Sequence, residues 1–168
     1  MGRNNIILCG FMGSGKSTIG NLLSKKMGMA FIDLDKYIEK KEQKTVTQIF
    51  EEHGEAYFRQ LEKQAAKELS QKNGVIVATG GGTLTFQENV DTFRNGKNKI
   101  VLLDVPVEIV AQRLQGDTTR PLLNRSDKEQ AMTELYHRRL PLYRNAADII
   151  VDASNSPLKV CMDIMDAL

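Results

Sequence analysis

The chain has 168 residues, 41% of them apolar, and 23 basic against 21 acidic side chains leave a formal charge of +2. That length predicts a single domain spanning residues 1–168, with enough core to exclude disorder as the main state. The charges are interleaved, as in Glu39-Lys40-Lys41-Glu42, which argues against dedicated binding to nucleic acid or a membrane surface.

In chain order, Ile6 to Cys9 reads as a strand that runs through Gly10 to Gly15 into a helix from Lys16 to Met27, with Gly28 as its stop. The stretch Ile6 to Gly13 is the longest apolar run, far short of the ~20 residues of a membrane span, and reads as strand and loop rather than as a leader. Ala30 to Asp33 is the second strand. Thr45 and Gln48 form a capping box for a short helix ending near Gly54, and a longer helix follows from Glu55 to Gln71. Val75 to Ala78 is the third strand, Gln87 to Arg94 a helix and Ile100 to Asp104 the fourth strand, with Pro106 opening the next helix. Gln115 to Arg125 lacks periodicity and reads as a loop. A helix capped by Ser126 follows; Pro141 is expected to kink or end it. Ile149 to Val151 is the fifth strand, and the last helix starts at Pro157.

Strand-length apolar runs alternating with helical patterns predict an α/β fold, a five-stranded parallel sheet covered by helices on both faces. The two cysteines, Cys9 and Cys161, suit a reducing, cytoplasmic setting and read as packing residues. So do Met27, Met29, Met132, Met162 and Met165.

Gly10 to Ser17, GFMGSGKS, matches G-x-x-x-x-G-K-[ST] directly after a strand and before a helix. Its glycines allow backbone N–H groups to turn around phosphate oxygens, Lys16 reaches the β- and γ-phosphates, and Ser17 is placed to ligate magnesium. No Asn-Lys-x-Asp or Asp-x-x-Gly motif accompanies it, which argues against a GTPase. Asp33-Leu34-Asp35 lies at the carboxyl end of the second strand, where open α/β sheets bind ligands. One carboxylate can hold magnesium through water while the other accepts a proton; alternatively Asp35 caps the following helix. Gly80-Gly81-Gly82 follows the third strand, again at a carboxyl end. Arg59 and Glu62 have the spacing of a solvated i,i+3 pair, and helical spacing allows only one of Arg138 and Arg139 to enter a pocket.

Taken together, Gly10 to Ser17, Asp33-Leu34-Asp35, Phe58-Arg59 with Glu62, Gly80-Gly81-Gly82, Arg120-Pro121-Leu122-Leu123 and Arg139-Leu140-Pro141-Leu142-Tyr143 resemble the shikimate kinase family along nearly the whole chain. The resemblance implies a phosphate-loop kinase fold related to nucleoside monophosphate kinases, and magnesium-dependent transfer of the γ-phosphoryl group of ATP to the 3-hydroxyl of shikimate, a step toward chorismate and the aromatic amino acids. It implies catalytic roles for Lys16, Asp35 and Arg120. ATP would be bound by Gly13, Ser14, Gly15, Lys16, Ser17, Thr18, Arg113, Arg120 and Asn155, and magnesium by Ser17 and Asp33. Shikimate would be held by Asp35, Arg59, Gly80, Gly81, Gly82 and Arg139, with an acceptor segment over residues 33–71 and a mobile lid over 115–125. The expected partners are ATP and shikimate, with no nucleic acid and no membrane, for a monomer. The alternative is another small-metabolite kinase acting on gluconate or a nucleoside monophosphate.

Overall fold

A computed structural model of the chain describes residues 4–115 and 127–168. Arg120, the rest of the expected lid beyond Gln115, and the cap assigned to Ser126 lie outside the described residues.

The elements in chain order are β1 (Asn5–Cys9), α1 (Lys16–Met27), β2 (Ala30–Asp33), α2 (Leu34–Glu42), α3 (Val46–His53), α4 (Glu55–Ser70), β3 (Val75–Ala78), a 3-10 turn (Thr83–Thr85), α5 (Gln87–Arg94), β4 (Asn98–Asp104), α6 (Val107–Arg113), α7 (Lys128–Ala146), β5 (Ile149–Asp152) and α8 (Pro157–Ala167). The five strands form one sheet in the order β2-β3-β1-β4-β5. Every pairing is parallel. Because parallel crossovers are right-handed, the chain places α1 on the face opposite α4 and α5 as it winds first toward β2 and then back. On its own face α1 packs against α8, while α4 and α5 pack against each other.

Local sequence signals explain most boundaries. Gly28 ends α1 in a left-handed conformation (φ 63°). Thr45 and Gln48 form the expected capping box, with Gln48 N–H donating to Thr45 Oγ1 at 3.1 Å and Thr45 N–H to Gln48 Oε1 at 2.9 Å. The core strands β1 and β3 are buried along their whole lengths, as continuous apolar runs require.

Four expectations are corrected. Coverage of both faces does not extend to the sheet edges, where the residues of β2 are half-buried or exposed and Ile150 in β5 is 52% exposed. Pro141 does not end its helix, which continues to Ala146. Pro141 and His137, whose carbonyl loses its helical partner, both lie on the exposed side, while Leu135, Arg139, Tyr143 and Ala146 anchor the other side in the protein. Tertiary packing thus outweighs the local cost of the proline. Met162 and Met165 on α8 are exposed rather than packed, whereas Met29 and Met132 are buried. The cap of α2 is Asp33, whose Oδ1 accepts from Lys36 N–H at 3.1 Å, and not Asp35, which sits in the first turn. Among the described residues no helix is long and apolar enough to cross a membrane.

Candidate active site

The segments singled out in the sequence leave the sheet at one edge. The phosphate loop follows β1, Asp33 ends β2, Gly80 lies two residues beyond β3, and Ala153 follows β5. Register brings the first three together, since Ala78 of β3 pairs with both Leu8 of β1 and Asp33 of β2. Thr79 then fastens the start of the next loop, its N–H and Oγ1 both donating to Leu8 O, at 3.0 and 2.9 Å.

In the phosphate loop Gly13 (φ 80°) and Gly15 (φ 97°) adopt conformations that side chains resist. Gly15 caps α1 without a side-chain hydrogen bond. The first N–H groups of α1 therefore carry partial positive charge toward the loop and suit an anion. Lys16 folds across the loop, donating from Nζ to Gly10 O at 2.6 Å. Ser17 Oγ donates to Asp33 Oδ2 at 3.1 Å, so Asp33 serves the helix cap with one oxygen and Ser17 with the other.

Two cavities meet at this edge. One, of 360 Å³, is lined by Gly13 to Thr18, Arg113 and Asn155 among others. Arg113 spans it, with Nη1 donating to Gly13 O at 2.9 Å and Nη2 to Ala153 O at 3.5 Å. The other, of 330 Å³, takes in Arg59, Glu62, Gly82 and Arg139. Met12, Ser17, Asp33, Asp35, Gly80 and Gly81 line both. A group bound in one cavity is thus separated from a group in the other by a wall carrying the carboxylates of Asp33 and Asp35 and the hydroxyl of Ser17.

The glycine triplet is packed as closely as glycine permits. A Cβ on Gly80 would stand 2.7 Å from Asp35 Oδ1, one on Gly81 2.9 Å from Arg139 Nη1, and one on Gly82 2.5 Å from Arg59 Nη1. Each of these glycines makes room for a different charged side chain, so a Cβ at any of the three would require that side chain to move.

The two arginines differ in their surroundings. Arg59 donates from Nη1 to Glu62 Oε1 at 2.6 Å and from Nη2 to Glu55 Oε1 at 3.1 Å. The spacing signal for the Arg59–Glu62 pair was correct, but the pair is not solvated: Glu62 is 1% exposed. Burial works against the Arg59 charge, yet Glu62 and Glu55 outweigh it and its pKa lies above the ordinary value. Arg139 is 6% exposed while Arg138 is exposed, so the first of them faces the cavity. For Arg139 burial dominates and its pKa lies below the ordinary value. Its near neighbour is the Tyr143 hydroxyl, which donates to Gly81 O and is itself pushed upward in pKa by burial. Among the described residues no carboxylate forms an ion pair with Arg139. A buried cation without a counter-ion is costly, and a ligand carboxylate would relieve that cost.

Sequence reasoning did not single out Thr83 or Tyr143, whose hydroxyls hold charged groups of the second cavity in place. Tyr143 lay within a quoted motif, but only burial reveals its partner. Burial pushes the Cys9 thiol up to about 12, consistent with a packing role.

A family model described as shikimate kinase matches residues 12–168. A shikimate kinase of Dehalococcoides mccartyi is 43% identical over 169 residues, covering 99% of this chain and 94% of its own length. The solved structure of shikimate kinase from Acinetobacter baumannii in complex with shikimate superposes with a TM-score of 0.93 at 36% identity, covering 98% of this chain and 92% of that one. A gluconokinase of Sinorhizobium meliloti superposes with a TM-score of 0.59 at 16% identity, a likeness of fold alone. Motifs, fold and relatives over nearly the whole length therefore agree, and the chain belongs to the shikimate kinase family.

Proposed function

We propose that this protein transfers the γ-phosphoryl group of ATP to the 3-hydroxyl of shikimate, releasing ADP and shikimate 3-phosphate. The observation that carries the reading is the buried Arg139, beside Arg59 and across from Asp35, in a cavity that shares its wall with the phosphate loop. A small acceptor with one carboxylate and several hydroxyls matches that arrangement of charges.

In this reading ATP occupies the first cavity, with Gly13 to Thr18 around its phosphates and Arg113 and Asn155 toward its base. Arg59 and Arg139 hold the acceptor carboxylate, Gly80 to Gly82 bring backbone against it, and Asp35 accepts the proton as the hydroxyl oxygen forms its bond to phosphorus and the bond to the ADP oxygen breaks. Lys16 swings from the loop carbonyls to the phosphates. Ser17 Oγ and Asp33 Oδ2 are hard oxygen donors held next to each other, 3.1 Å apart, beside the phosphate loop, so these two residues would hold magnesium. When bound, magnesium offsets the charge developing on the phosphate oxygens. Arg120 would add positive charge from the lid, a contribution of about 10³–10⁵ in rate for a well-placed arginine. The same reading takes residues 1–168 as one domain of a cytoplasmic monomer.

The test is ADP release by purified protein with ATP, magnesium and shikimate, with gluconate and nucleoside monophosphates in parallel. Shikimate-dependent ADP is expected. Turnover with one of the other acceptors and none with shikimate overturns the reading.

The close packing of the glycine triplet yields a sharper expectation. Gly82→Ala should displace the Arg59 guanidinium and raise the shikimate KM by about tenfold or more, with the ATP KM close to that of wild type. Steady-state kinetics with each substrate varied in turn checks the split, and an unchanged shikimate KM refutes it.

A further inference from the structure

Thr83 opens the 3-10 turn that follows the glycine triplet and is fully buried. Its Oγ1 donates to Glu62 Oε2 at 2.8 Å. The other oxygen of the same carboxylate, Oε1, accepts from Arg59 Nη1 at 2.6 Å. Glu62 is therefore fixed at both oxygens, by a hydroxyl from the turn and by the guanidinium it orients. Thr83 is itself fixed at both ends of its backbone, its N–H donating to Gly80 O at 3.2 Å and its carbonyl accepting from Asn89 Nδ2 at 2.9 Å. Asn89, on α5, is buried as well.

Without a further partner the Glu62 carboxylate could rotate, and Arg59 would be held otherwise only by its contact with the exposed Glu55. The hydroxyl of Thr83 removes that freedom and ties the orientation of an α4 arginine to the loop carrying Gly80. Since Gly82 leaves space for Arg59 and Gly80 for Asp35, a shift in the turn would alter the aim of the arginine and the shape of the pocket together.

We infer that Thr83 is a positioning residue for the acceptor: its hydroxyl holds Glu62 so that Arg59 presents its guanidinium to the acceptor carboxylate. The inference rests on the proposed shikimate kinase activity. Its test is the kinetics of Thr83→Val, Thr83→Ala and Thr83→Ser. Val keeps the shape and loses the hydroxyl. Ala and Ser both lose the methyl group and differ only in the hydroxyl, so that comparison stands even where Val does not fold. Thr83→Val and Thr83→Ala are expected to raise the shikimate KM roughly tenfold, the effect of one well-made hydrogen bond to a charged group, with kcat and the ATP KM little changed. Thr83→Ser should restore a KM near wild type. The inference is overturned if Val and Ala retain the wild-type shikimate KM, if Ser is impaired as much as Ala, or if kcat and the ATP KM move as far as the shikimate KM. Wild-type protein without shikimate-dependent turnover would instead overturn the proposed activity, so the two failures are distinguishable.

Discussion

Asp35→Asn is expected to lower kcat by about 10²–10⁴, the usual contribution of a positioned proton acceptor, while the ATP KM stays close to that of wild type. Asp35 lines both cavities, and its Oδ1 lies against the space that Gly80 leaves open. Asparagine keeps the size and can still hydrogen-bond a hydroxyl, but it cannot take the proton. The loss should therefore fall on turnover more than on acceptor binding. The helix cap itself should be untouched, because it is Asp33 and not Asp35, and the first-turn charge lost with Asp35 is worth about 0.3–1 kcal/mol. Steady-state rates at saturating ATP and shikimate measure the effect; a kcat within a few-fold of wild type removes Asp35 from the proton-accepting role.

The second large effect concerns the two arginines, which should respond in opposite ways. Arg139→Met is expected to raise the shikimate KM by about 10²-fold or more, since it removes the buried partner of a charged group. Yet the unliganded protein should be no less stable, because its buried cation lacks a carboxylate partner among the described residues and an apolar side chain of similar length relieves the desolvation cost. Arg59→Met should also weaken shikimate binding, but at a cost of about 3 kcal/mol or more in stability, because it strands the buried carboxylate of Glu62. Thermal unfolding without ligand, set beside acceptor KM, checks both halves. If Arg139→Met destabilises the unliganded protein as much as Arg59→Met does, the distinction between a ligand-seeking and a structurally paired arginine fails.

The contrast between these arginines marks where sequence reading stops. Arg59 and Glu62 were recognisable as an i,i+3 pair, because helical neighbours meet wherever the helix lies. That Glu62 is buried, and so demands its partner, depends on Thr83 and the turn after β3, 21 residues further along the chain. Arg139 was chosen over Arg138 by helical spacing together with its motif, and burial separates the two in the same way. That no carboxylate among the described residues forms an ion pair with Arg139 could not be read at all, since it depends on everything folded around the side chain. Pro141 shows a different limit: of the two outcomes expected of it, a kink or an end, the continuation of α7 to Ala146 rules out the end.

Features under short-range control are legible directly in the order of residues. The phosphate loop is contiguous, so its glycines, Lys16 and Ser17 are legible without a fold. The alternation of apolar strands with helices dictates a parallel sheet, and the family motifs stand in order along the chain. The strand order, the use of both Asp33 oxygens, and the shared wall that brings Asp35 and Gly80 to both cavities emerge from the folded protein alone. Backbone conformation, helix capping and helical spacing act within a few residues, whereas burial, charge pairing and hydrogen bonds between segments depend on which distant parts of the chain the sheet brings side by side.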